Sequence, residues 1–240
     1  KTFSIMAGFE VAISVIGTLG VSTTVGMYGP AGAFYFVAII GLILLPFMFF
    51  FPSLLDSEDL DLDNTVTVSP INKYSMLSLL GFFFIIAGTN VLWPFTERIG
   101  ESLSISIESI GYILTLGAAV SFAGPILCSL FTVRIGFLRS YLAGLTFYAS
   151  GVLILVYSST QIEYSIAVVI TAVSLMFCVP LTNSLIAKSD PSGRINAATS
   201  FVSSAANAVG IFLGATILNN GGSYSTLGWI AALFFMLVLT

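Results

Sequence analysis

Apolar residues run in long blocks along this chain, each near 20 residues. That is about the length a helix needs to cross the hydrocarbon core of a bilayer. Blocks such as FYFVAIIGLILLPFMFFF show none of the polar–apolar alternation of a barrel strand. Backbone groups find no water inside a membrane, so blocks of this kind predict helices. Eight spans are expected, at roughly 4–27, 32–52, 73–96, 107–131, 138–158, 164–187, 196–218 and 224–240. Breakers separate them: GMYGPAG after the first, SDPSGR before the seventh and NNGGS before the eighth. One connection, 53–72, is long and carries the acidic run DSEDLDLD. The expected fold class is therefore an all-α polytopic membrane protein: two spans in 1–52, an acidic linker at 53–72 and six spans in 73–240.

Composition agrees with that pattern. Only 8% of residues are charged and 57% are hydrophobic, against about a quarter charged in soluble domains. The net charge of −4 has a local cause, because Asp56, Glu58, Asp59, Asp61 and Asp63 supply five of the eleven acids. There is no basic patch to serve as a nucleic-acid footprint. Histidine is absent, which excludes Ser-His and Cys-His catalysis and His-bound zinc. Cys128 and Cys178 lie far apart inside apolar blocks with no CxxC, so packing is their expected role. Neither an enzyme nor a cofactor or metal site is expected. The chain starts at Lys1 and stops inside an apolar run, so both ends look cut.

Basic residues sort by side. With sides alternating at each span, Lys1, Lys73, Arg134, Arg139, Lys188 and Arg194 share one side and Arg98 alone takes the other. Cations near short loops mark the cytoplasm. Arg134 and Arg139 then mark a cytoplasmic turn between the fourth and fifth spans, and 53–72 is cytoplasmic in a multi-pass protein of the cell membrane. An internal repeat also shows: GVSTTVGMYGPAGAFYFVAII (20–40) and GATILNNGGSYSTLGWIAALF (214–234) share a helix-end Gly, a Gly-rich turn with Tyr, then an aromatic and an Ala.

Repeats six helices apart, a long acidic linker and a basic turn two helices beyond it resemble the major facilitator superfamily. Its loop motif reads G-x-x-x-D-R-x-G-R-R; the equivalent window here is SLFTVRIGFL, in which Arg134 and Gly136 match and Arg139 comes one place late. The resemblance implies helices five to twelve of a twelve-helix fold, two from a first half plus a six-helix second half. It implies secondary transport of a small solute by alternating access, and first-half helices beyond this chain to complete the pathway. It also implies a cytoplasmic gate at Arg134, Gly136 and Arg139; the alternative is that they are a topology anchor only. The glycines of the first span, Gly17, Gly20 and Gly26, fit its helix five, although Val21 stands where drug antiporters of the superfamily carry Pro. A transport-inactive receptor or assembly partner with this fold is the alternative.

Ionisable and polar residues inside spans need a reason, since charge at a helix centre costs about 2.5–3.5 kcal/mol on insertion scales. Glu10 heads a small polar face with Ser14, Gly17 and Thr24; it is either a proton-binding or gate carboxylate or an interfacial acid. Asn90, Pro94, Glu97 and Glu101 follow i, i+4, i+7 and i+11 and share a face if the helix runs on. On the resemblance Asn90 and Trp93 contact solute while Glu97 and Arg98 form an outer gate pair; the alternatives are ordinary interfacial charge for Glu97 and Arg98 and an interfacial belt residue for Trp93. Asn196, Ser200, Ser203, Asn207, Gly210 and Gly214 step by 4, 3, 4, 3 and 4 along the seventh span. Such a stripe meets either a neighbouring helix or a water-filled pathway. In the sixth span Pro180 precedes Thr182 and Asn183, either as a broken-helix binding feature or as a satisfied kink. The expected partners are membrane lipid, an unidentified small solute and protons.

Overall fold

The computed structural model describes residues 13, 16, 17, 20, 21, 23–29, 31–46, 73–189 and 194–238. Glu10 and the acidic linker at 53–72 lie outside the described residues. All regular structure among those residues is helical. Five helices are long and apolar enough to cross a membrane: Lys73–Ser102, Ile107–Ile135, Phe137–Tyr157, Gln161–Ser189 and Ile195–Asn219. Two shorter apolar helices, Ala31–Leu44 and Tyr224–Leu237, fall in two further expected intervals. This is the make-up of an integral membrane protein.

The chain divides into two compact units, separated near residue 70. In the first, helical backbone over 23–28 turns at Gly29 into α1, Ala31–Leu44. Gly32 lies against the Thr24 carbonyl and Gly20 beneath the Phe36 ring, so small residues let the two arms close on each other.

The second unit contains α2 (Lys73–Leu92), a 3-10 turn (Trp93–Phe95), α3 (Thr96–Ser102), α4 (Ile107–Ser121), α5 (Ala123–Ile135), α6 (Phe137–Tyr157), α7 (Gln161–Ser189), α8 (Arg194–Asn219) and α9 (Tyr224–Leu237). Local signals set the boundaries. Ser106 caps α4 by accepting from the Ser109 N–H at 3.3 Å. Thr160 and Glu163 form a capping box at the start of α7, with Glu163 Oε2 accepting from the Ser159 and Thr160 N–H groups at 2.7 and 3.3 Å. Gly136 alone separates α5 from α6, at φ +87°, a conformation that asks for a residue without Cβ.

α7 is the centre of this unit. Glycines from both sides press onto it: a Cβ on Gly117 would lie 2.9 Å from Val168, and one on Gly124 2.6 Å from the Val173 carbonyl. From α6, a Cβ on Gly144 would lie 2.6 Å from Cys178 Sγ and one on Gly151 2.9 Å from Thr171. Lipid tails are as apolar as leucine, so close backbone approach and van der Waals contact hold such helices together. Outward faces remain apolar and exposed, with Phe34, Tyr112, Val133, Phe147, Phe201 and Phe212 among them.

Pro180 does not break α7, which runs from Gln161 to Ser189 with Pro180 inside it. The broken-helix alternative is therefore corrected to a helix held together locally. Thr182 Oγ1 donates to the Cys178 carbonyl at 3.0 Å, and the Tyr141 and Thr182 hydroxyls share a hydrogen bond at 3.3 Å. The interruption falls at Pro94 instead, where the 3-10 turn replaces regular α-helix. Pro94 has no N–H to give the Asn90 carbonyl.

Candidate functional site

The unit has two distinguishable ends. Ser75 Oγ donates to the Ser189 carbonyl at 2.7 Å, joining the start of α2 to the end of α7. The Lys188 ammonium lies 5.1 Å from the Phe137 ring, joining that end to the start of α6. Lys73, Arg134, Arg139 and Lys188 all belong to this end. At the other end Tyr164 OH donates to the Thr96 carbonyl at 3.1 Å, joining α3 to the start of α7. Arg98 belongs there, as do Glu97, Glu101, Glu108 and Glu163. Exposed Tyr157 and Trp229 mark the same end, where Trp229 Nε1 donates to the Tyr157 hydroxyl at 2.9 Å. Such aromatics favour the membrane–water boundary.

Between the ends, α2 and α8 meet through small residues. A Cβ on Gly210 would lie 2.5 Å from the Ala87 carbonyl, and Gly214 abuts the Val91 carbonyl. This close approach brings two amides together. Asn90 Nδ2 donates to Asn207 Oδ1 at 2.6 Å and to the Ile86 carbonyl at 2.9 Å. Both Asn90 donor hydrogens are thus engaged. Asn90 Oδ1 and Asn207 Nδ2 make no hydrogen bond among the described residues, and both side chains are half-buried. The pair sits one turn before the Pro94 interruption and offers the Asn90 amide oxygen as acceptor and the two Asn207 amide hydrogens as donors to a visiting polar group.

No family model, curated protein or solved structure matches this chain.

The other candidates divide. Within the stripe on α8, Asn207, Gly210 and Gly214 face α2, Ser203 is half-buried, and Asn196 and Ser200 are exposed. Trp93 is exposed on the 3-10 turn, and Asn183 is half-buried on α7. Glu97 and Arg98 are both exposed and form no ion pair among the described residues; Arg98 instead lies 6.0 Å from the Phe95 ring. Arg134, Gly136 and Arg139 are exposed around the one-residue turn. Among the described residues no group of three His, Cys, Asp or Glu is placed to hold a metal.

Sequence reasoning missed the glycine contacts on α7. Gly117 and Gly124, and likewise Gly144 and Gly151, are spaced seven apart, two turns of helix on one face. That spacing was available as a signal. The Asn90–Asn207 contact has no such signal, since nothing in the chain pairs the two residues.

Proposed function

We propose that this chain is a secondary transporter of a small solute, working by alternating access in the manner of the major facilitator superfamily that its span layout resembles. The Asn90–Asn207 pair carries this reading. A half-buried amide pair whose Asn90 Oδ1 and Asn207 Nδ2 find no further partner among the described residues is costly on a lipid-facing surface. It suits a face that water and solute reach. The exposed polar residues Asn196 and Ser200 continue that face towards the basic end. In this scheme all eight expected spans cross the membrane, 53–72 is cytoplasmic, and Glu10 is the carboxylate that takes up protons. Arg134, Gly136 and Arg139 form the turn at the cytoplasmic gate.

Thiol labelling in intact membranes tests the pathway. Cys128 and Cys178 are buried, so a Cys128→Ser, Cys178→Ser background is quiet. Cysteine at position 207 should react with a small membrane-impermeant reagent from the aqueous side, as should cysteine at 200. An inert thiol at both positions would assign the stripe to helix packing alone. Glu10→Gln should reduce proton-linked flux; unchanged coupling would remove Glu10 from the mechanism.

A further inference from the structure

A groove of about 550 Å³ opens between α3 and the outward face of α8. Its walls are Phe95, Phe212, Leu218 and Ala215, with Arg98, Thr216 and Asn219 as its polar groups. It lies at the end of the unit marked by Tyr157 and Trp229, residue types that favour the membrane–water boundary. Arg98 is the one described cation at this end and forms no ion pair among the described residues. Phe212 is 70% exposed along the groove. The groove thus offers a cation at the water boundary and an apolar wall running inward.

The surrounding charge narrows the occupant. Glu97, Glu101, Glu108 and Glu163 share this end, so a net anion would be repelled. Glu101 is outside the groove's lining but lies three residues beyond Arg98 on α3, about 5–6 Å away at Cβ. A headgroup carrying both signs complements this arrangement where an anionic one does not. We propose that the groove holds a zwitterionic aminophospholipid, its phosphate on Arg98, its ammonium on Glu101 and one acyl chain along Phe212 and Leu218. Thr216 and Asn219 supply neutral hydrogen bonds to the phosphate and glycerol oxygens. This site is separate from the Asn90–Asn207 pair and stands without the transport proposal.

Native mass spectrometry of the detergent-purified full chain tests it, with equimolar dioleoyl phosphatidylethanolamine, phosphatidylcholine and phosphatidylglycerol as probes. The ethanolamine lipid should be retained preferentially. Arg98→Gln should lower its retention about fivefold, the worth of one surface cation towards a lipid headgroup. Glu101→Gln should erase the preference for ethanolamine over choline, and Phe212→Ala should weaken all three lipids together. Lys73→Gln, at the far end, should change nothing. Inorganic phosphate at millimolar concentration should not displace the lipid; displacement would mean that the groove recognises free phosphate and would overturn lipid occupancy. Preference for the glycerol lipid would overturn the zwitterionic assignment. Wild-type retention in both Arg98→Gln and Phe212→Ala would overturn the site. Should Arg98→Gln fail to fold, the exposed positions Glu101 and Phe212 carry the same test.

Discussion

α7 and α8 are both long, apolar and rich in small or polar residues, yet they are used differently. Half of the most apolar stretch of α7 is buried inside the protein, against 17% of the corresponding stretch of α8. Around α7 the glycines belong to its neighbours and press in from two sides. On α8 the glycines are its own, confined to one seam with α2, and the polar stripe continues past that seam into the open. Glycine spacing therefore speaks of packing on either helix. On the transport proposal, a polar stripe that outruns its packing partner is a working face.

The sharpest way to break this contrast is to crowd α7. Gly124→Leu would drive a side chain into the α7 backbone, where a Cβ already comes within 2.6 Å of the Val173 carbonyl and 2.8 Å of the Phe177 nitrogen. Overpacking of this kind should cost about 3 kcal/mol or more and abolish a monodisperse peak in size-exclusion chromatography. Gly210→Val should cost less, about 1–3 kcal/mol in reversible unfolding, since α8 has open space on its far side into which it can shift. It should also part the two asparagines. Asn207→Ala should be milder still, about 0.6–1.7 kcal/mol, the range for interhelical hydrogen bonds in membranes. A double-mutant cycle with Asn90→Ala should return most of that as coupling. Ser200→Ala should leave stability within about 0.5 kcal/mol while lowering solute flux. A stability loss at Ser200 equal to that at Gly210 would erase the distinction between seam and working face.

Much of the helix layout was legible because lipid imposes so few solutions. Long apolar blocks and breakers such as NNGGS are local signals, and the described helices lie largely along the expected intervals. Pro180 and Pro94 show where local reading stops. Both are prolines in apolar spans, but Pro180 is buried in a helix held on several sides, whereas Pro94 is exposed near a span's end, where a 3-10 turn forms. Surroundings, not the residue, decide which one interrupts. For the same reason Asn90, Pro94, Glu97 and Glu101 do not keep one regular face: three residues of 3-10 geometry turn further per residue than α-helix and shift the register between Asn90 and Glu97. Side-chain partners such as Asn90 with Asn207, or Tyr164 with Thr96, join residues 117 and 68 positions apart and exist only once the helices pack.

Sidedness labelling is the most direct test of a bundle that threads the bilayer with its basic residues gathered at one face. In the cysteine-free background, single cysteines at positions 73, 134 and 98 would be probed with an impermeant maleimide in sealed, oriented vesicles. Positions 73 and 134 should label from the same side and position 98 from the opposite one. Labelling of 73 and 134 from opposite sides, or of 98 together with them, would contradict the threading and the transport proposal built on it.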